Sequence, residues 1–338
     1  MKGKPSDMGL PVALALARAV PRIPAADALP GGCVYEPKWD GYRVAIVRTE
    51  QETIFWSRQG KDLTRYFPDL AATAEEHIPP GFIIDGEAVI WTDGRLDFES
   101  LQRRLTSSKR NLPALVSERP ASFVAFDLLQ AAGTDTRGLV LQDRRELLAE
   151  LASWWEPPLD LSPITADLAT ATRWFETMPS TGIEGLVVKG AAQEYQGGER
   201  QWLKVKHRET FDVVCAAVIG PINRPEMVVA GLHIEGELRI VGRSSLLKGQ
   251  PSRTLATHLR PAAPGHPWPT EVKSGAIDRF NSTSPTTALT LVKPLVVEVS
   301  ADTAFSGSSF RHALRYLRAR PELDPADVVL PGHLLRGT

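Results

Sequence analysis

Between residues 33 and 208 the chain carries two kinds of apolar pattern. Short runs rich in β-branched and aromatic residues read as strands: "TIFWSR", "GFIIDGEAVIW", "SFVAFDLL", "EGLVVKG" and "QWLKVKH". The stretches "FPDLAATAEEHI", "DRRELLAELASWW" and "DLATATRWFETM" have the spacing of amphipathic helices. Unequal intervals between the strands predict an α+β domain with a mixed or antiparallel sheet, not a regular βαβ array. After "KHRETFD" the pattern changes to short strands and turns: "DVVCAAVIG", "EMVVAGLHI", "ELRIVGR" and, past a Pro/Gly-rich connection at 261–269, "LTLVKPLVVEVS". Five short strands in this part suit a small β-barrel, with the oligonucleotide-binding (OB) type as one candidate. The boundary falls at His207 to Asp212, which divides the chain into residues 1–208 and 209–338.

Composition narrows the class without choosing a function. With 43% hydrophobic and 23% charged residues in 338, the chain has the make-up of a globular protein large enough for two domains. Lys and Arg number 39 against 40 Asp and Glu, so any nucleic-acid surface has to come from local clustering rather than net charge. The two cysteines, Cys33 and Cys215, form no C-x-x-C pair, which excludes a disulfide framework and a four-cysteine zinc site. A reducing compartment, the cytoplasm, is expected. The apolar stretch "GLPVALALARAV" is short, charged residues precede it sparsely, and "PRIPAADALPGG" after it offers no clear cleavage site, so it is not read as a signal peptide. No run approaches the length of a membrane-spanning helix.

The chemistry concentrates in "VYEPKWDGYRVAIV", residues 34–47, where Lys38, Asp40 and Arg43 interrupt strand-forming residues. In an extended segment Glu36, Lys38 and Asp40 share one face, because side chains alternate across a strand. A solvated strand face with cross-strand ion pairs accounts for that much. The pattern K-x-D-G-x-R, however, fixes four positions, and a chain of this length would contain it by chance only ~0.2% of the time.

This pattern resembles that of the covalent nucleotidyltransferases: ATP-dependent DNA ligases, RNA ligases and mRNA capping enzymes. Further segments of the same family follow in order. The resemblance implies that Lys38 attacks the α-phosphate of ATP and becomes adenylylated, with Glu36 and Arg43 beside it on the nucleotide. "FWSRQG" gives Arg58 to the ribose and phosphate, and "IIDGEAV" gives Glu87 to the ribose or a metal. "FVAFDLL" gives Phe126 as an aromatic stacked on the purine, and "IEGLVVK" gives Glu184 as a metal-facing carboxylate. "GGERQWLKVK" gives Arg200, Lys204 and Lys206 to the phosphates. Glu87 and Glu184 would hold Mg²⁺ or Mn²⁺. Taken singly, Asp85 and Glu87 also read as exposed strand residues, Phe126 and Trp202 as core, and Lys204 and Lys206 as a solvated face.

Within the family, "LDFESLQRRL" and "WLKVK" resemble DNA ligases, which ranks an RNA ligase or capping enzyme second and a catalytically silent nucleic-acid-binding module third. NAD-dependent ligases carry a four-cysteine zinc finger that two scattered cysteines cannot build, so the resemblance implies ATP. The layout is similar to short two-domain bacterial ligases that act as accessory repair enzymes. Its implied partners are nicked duplex DNA and DNA-repair proteins, with no membrane and a monomeric state. The cluster Arg103, Arg104, Lys109 and Arg110 in "LQRRLTSSKRN" is a candidate for sequence-independent phosphate contacts. The family's terminal motif commonly reads R-x-R-x-D-K. Here "LRARPEL" offers Arg318 and Arg320, but Glu322 and Leu323 stand where Asp and Lys are usual. "FRHALRYLRAR" also reads as the end of a basic amphipathic helix.

Overall fold

The computed structural model describes residues 11–277, 285–301, 305–306 and 309–331. The chain divides into two compact units, Met1–His207 and Arg208–Thr338.

The first unit contains two sheets. The smaller has four strands: β1 (Ala17–Ala19), β2 (Cys33–Pro37), β8 (Gly185–Gly190) and β9 (Trp202–Lys206), in the order β1-β9-β8-β2. β1 runs parallel to β9, and the other neighbours are antiparallel. The larger sheet is led by β3 (Tyr42–Arg48), β4 (Thr53–Ser57), β5 (Phe82–Thr92) and β6 (Ala121–Ala131), antiparallel in the order β4-β3-β5-β6. Beside it, β7 (Leu159–Leu161) adds a parallel pairing to β6. The expected mixture of parallel and antiparallel pairing is therefore present, divided between two sheets rather than one.

The near-continuous apolar runs follow from burial on both faces. Along β3, Val44 and Ile46 join one core with Leu70 of helix α1 (Pro68–His77) and Leu101 of helix α2 (Phe98–Thr106). On the opposite face, Ala45 and Val47 join a second core with Phe126, Leu129, Tyr195 and Trp202, which brings in β9 of the smaller sheet. A third core, around Tyr35, Leu186, Val188 and Leu203, is covered by Trp174 and Phe175 of helix α5 (Leu168–Thr177). Helix α3 (Leu112–Glu118) follows α2, and helix α4 (Leu141–Leu151) packs Leu148 and Leu151 into the first core. The apolar stretch near the amino end is built into the fold, with Val12, Leu14 and Ala15 in the second core.

The second unit is a five-stranded antiparallel sheet. Its strands are β10 (Glu209–Ile219), β11 (Met227–Ile234), β12 (Glu237–Arg243), β13 (Thr290–Ala301) and β14 (Arg315–Ala319), in the order β12-β11-β10-β13-β14. A separate bridge pairs Ser244, just past β12, with Leu314, just before β14. Valines and alanines of these strands share a core with Leu255 of helix α6 (Gln250–His258). The helical reading of "FRHALRYLRAR" is corrected here, since residues 315–319 are a strand paired with β13. Leu314 and Tyr316 turn inward while Arg315 and Leu317 stay outside, a period of two.

Candidate active site

Strand β2 ends at Pro37, and Lys38 follows as a residue still tied to β8 by its backbone. Its amide donates to the Gly185 carbonyl (2.8 Å), and its carbonyl accepts from the Glu184 amide (3.0 Å). This pairing sets the two side chains together, and Lys38 Nζ donates to the Glu184 carboxylate. Two glycines of the recurring segments make the approach possible. A Cβ on Gly41 would lie 2.3 Å from the Ala88 carbonyl oxygen, and Gly185, at φ +145°, would place one 2.0 Å from the Val205 carbonyl oxygen.

Glu184 bridges two lysines, because Lys206 Nζ also lies 3.2 Å from its carboxylate. Lys204, two residues earlier on the same strand, has its pKa pulled down by burial and by the charges of Lys38, Lys206 and Arg58, against the opposing pull of Glu184. The structure thus brings Lys38, Glu184, Lys204, Lys206 and Arg58 into one electrostatic group. Burial also pulls the Lys38 pKa down, but Glu184, Glu87 and Asp40 together outweigh it, and the ammonium is held above its ordinary range. Glu87 is half-buried on β5. Burial pushes its carboxyl up to about 8 despite the opposing charges of Lys38 and Arg43.

Arg43 does not join the phosphate-side cluster. Its guanidinium makes a fork with the Asp85 carboxylate (3.0 and 2.6 Å) and donates to the Ala15 carbonyl (2.5 Å). The Tyr195 hydroxyl donates to the same carboxylate at 2.7 Å and accepts from the Ala15 amide at 2.9 Å. Asp85 is fully buried, which corrects its reading as an exposed strand residue and makes Arg43 its counter-charge. Phe126 is only 8% exposed, packed edge-on against Trp202 with ring centroids 6.3 Å apart. Arg43 and Lys189 both lie over this ring pair. That is a core position, as the alternative reading of Phe126 and Trp202 has it.

Glu36 is buried and paired with Lys189 Nζ at 2.9 Å. Arg200 is exposed just ahead of β9. In the second unit Arg318 pairs with Glu298, and Arg320 pairs with Glu322 and with Asp212 (3.4 Å). Of the basic cluster, Arg103, Lys109 and Arg110 are exposed. Arg104 is corrected, because it is completely buried, with both Asp69 carboxylate oxygens 2.9 Å from Nη1 and the Arg119 carbonyl accepting from Nη2. A guanidinium so enclosed has no face left for a DNA phosphate.

Sequence reasoning passed over a buried polar network behind the site. Arg144 clasps Asp127 (2.7 and 3.1 Å), and Lys189 donates to the Phe126 carbonyl at 3.1 Å. The available signal was a charged residue inside an otherwise apolar run, as at Asp85, Asp127 and Lys189, since such residues are buried only when paired.

Among the described residues no group of three or more His, Cys, Asp or Glu is arranged to hold a metal ion. Glu87 and Glu184 both act on Lys38. Two carboxylates are a fitting donor set for Mg²⁺, which takes one or two from protein and the rest from phosphate oxygens and water.

A family model described as "ATP dependent DNA ligase domain" matches residues 15–206, more than half of the chain. DNA ligase C of Mycobacterium tuberculosis is 34% identical over 93% of this chain and 91% of its own length. The chain belongs to the ATP-dependent DNA ligase family. DNA ligase C1 of Mycolicibacterium smegmatis is 31% identical over 94% of this ligase and 92% of its own length. Among solved structures, the ligase domain of M. tuberculosis LigD superposes with a TM-score of 0.50 at 26% identity, covering 94% of this chain and 98% of that one. A Lig E DNA ligase shares the fold at 16% identity, with a TM-score of 0.54 and coverage of 91% and 99%. Lys38, Glu184, Lys204 and Lys206 all fall inside the matched residues, and the enzyme is a DNA ligase rather than an RNA-modifying relative or a silent module.

Proposed function

We propose that this ligase seals nicks in duplex DNA through a covalent AMP on Lys38. The observation that carries the reading is the Lys38–Glu184–Lys206 arrangement, with Lys204 alongside. In the first step the free Lys38 amine attacks the α-phosphorus of ATP, a phosphorus–nitrogen bond forms, and pyrophosphate leaves with the bond electrons. In the second, the 5′-phosphate at the nick takes the AMP and the phosphorus–nitrogen bond breaks. In the third, the 3′-hydroxyl attacks the 5′-phosphorus and AMP leaves.

Lys38 must lose its proton before it can attack. A divalent ion, Mg²⁺ or Mn²⁺, held by Glu87 and Glu184 would neutralise phosphate oxygens as charge develops. Burial of Lys38 favours the neutral amine against the pull of Glu184, and the proton passes to water at its partly exposed end. Lys204, Lys206, Arg58 and Arg200 are assigned to the phosphates. Arg318 and Arg320 are assigned to pyrophosphate departure, although each already has acidic neighbours to exchange.

The same reading makes residues 1–208 an adenylation domain and 209–338 an OB-type domain. The bridge between Ser244 and Leu314, which joins the two ends of the five-stranded order, supports the barrel. It takes the enzyme as a cytoplasmic monomer working in DNA repair. The deciding experiment is incubation with labelled ATP and nicked duplexes whose strands are DNA or RNA. Sealing of the DNA nick, with label first on protein and then on the 5′ end, is the expected result; sealing confined to RNA would overturn the substrate assignment.

A further inference from the structure

A groove of about 520 Å³ opens in the first unit between the turn at Arg65–Pro68 and the segment Ser107–Ser117. None of the residues gathered around Lys38 lines it. Its floor is apolar, with Tyr66, Leu112 and Val116, and its rim carries Arg65 and Lys109. No acidic side chain is among those lining it. The Arg65 guanidinium stacks over the Tyr66 ring at 4.3 Å and donates to its hydroxyl.

The groove is held open by the buried arginine that the basic cluster concealed. Arg104 of α2 ties the first turn of α1 through Asp69 to the backbone at Arg119, which follows α3. Asp69 also accepts from the Ala121 amide at 2.9 Å. Both walls are thereby fixed before anything binds, which lowers the cost of ordering a ligand there.

A duplex backbone presents phosphates alone; it would satisfy the rim and leave the apolar floor in water. An unpaired nucleotide presents a flat base and an anionic phosphate together, the combination that aromatic platforms flanked by cations take in single-strand binding. We propose that this groove receives one unpaired nucleotide of the DNA substrate, its base on the Arg65 guanidinium that Tyr66 backs and its phosphate at Lys109. The proposal rests on the ligase reading above for the identity of the polymer.

The test uses the full chain and two labelled duplexes, one blunt and one with a short single-stranded 3′ tail, with binding followed by fluorescence anisotropy. The wild type should prefer the tailed duplex, and Tyr66→Ala and Lys109→Ala should each cut that preference by roughly tenfold, as loss of one stacked base does. Should Tyr66→Ala unfold, Lys109→Ala decides, because its side chain lies on the rim. No tail preference in the wild type, or equal losses on both duplexes, would overturn the proposal in favour of simple phosphate contact. Unchanged binding by both variants would overturn it in favour of a protein segment. Uptake of label from α-labelled ATP is followed in the wild type alongside the binding measurements. Absence of that label in the wild type would sink the ligase reading, which is a separate failure from a missing tail preference.

Discussion

At the scale of single residues, Lys38 is held as an ammonium with Glu184 as its counter-charge, beside Glu87, a second carboxylate that burial keeps hard to ionise. Glu87 leads to a prediction about stability. Its folded-state pKa of about 8 lies above the ordinary value of 4.5, so the folded chain retains a proton that the unfolded chain releases. The contribution to stability is complete below about pH 4.5 and is lost as pH rises through about 8. In protein free of ATP and metal, Glu87→Gln should therefore lose less stability between the acid and alkaline ends of that window than the wild type, as measured by urea unfolding. Equal losses would mean that Glu87 titrates normally. The meeting of Lys38 and Glu184 was legible because the family segments fix their positions in the sequence, whereas the partner of Arg43 was not. The spacing that puts Arg43 near Lys38 says nothing about Asp85, 42 residues on, which takes the guanidinium in a fork.

At the scale of elements, helix α2 displays the same limit. A run of basic residues predicts an exposed face, and Arg103, Lys109 and Arg110 follow it; Arg104 instead turns inward to Asp69 of α1, because a helix sends neighbouring residues to different faces. Removing one partner of a buried pair leaves the other uncompensated. Arg104→Met should destabilise the first unit by about 3 kcal/mol, the low end of that cost because Asp69 retains some solvent access. Urea unfolding checks the loss, and a change below about 0.5 kcal/mol, the usual size for a surface substitution, would contradict the buried assignment. Lys109→Ala should leave stability nearly unchanged. Helices α1, α4 and α5 were legible from their spacing alone. Strand β14 was not, since "FRHALRYLRAR" satisfies a helical period as well as an alternating one and only pairing with β13 chooses between them.

At the scale of the whole molecule, each unit has its own apolar core, and Lys38, the proposed nucleophile, lies in the first with Glu87, Glu184, Lys204 and Lys206. Label taken from α-labelled ATP should therefore remain on the amino-terminal fragment when the chain is cut near the boundary at residues 207–208, with fragments separated by mass. Label on the carboxy-terminal fragment would place the covalent chemistry elsewhere. The change in strand pattern after "KHRETFD" made this division legible. The separation of the first unit into two sheets was not, because nothing in the strands themselves records which edges remain unpaired. The most direct measurement is covalent uptake of label from α-labelled ATP by the wild type and by Lys38→Ala, with circular dichroism to confirm that both are folded. The account predicts an acid-labile protein–AMP adduct in the wild type and none in Lys38→Ala; a folded Lys38→Ala protein that still takes up the label would contradict it.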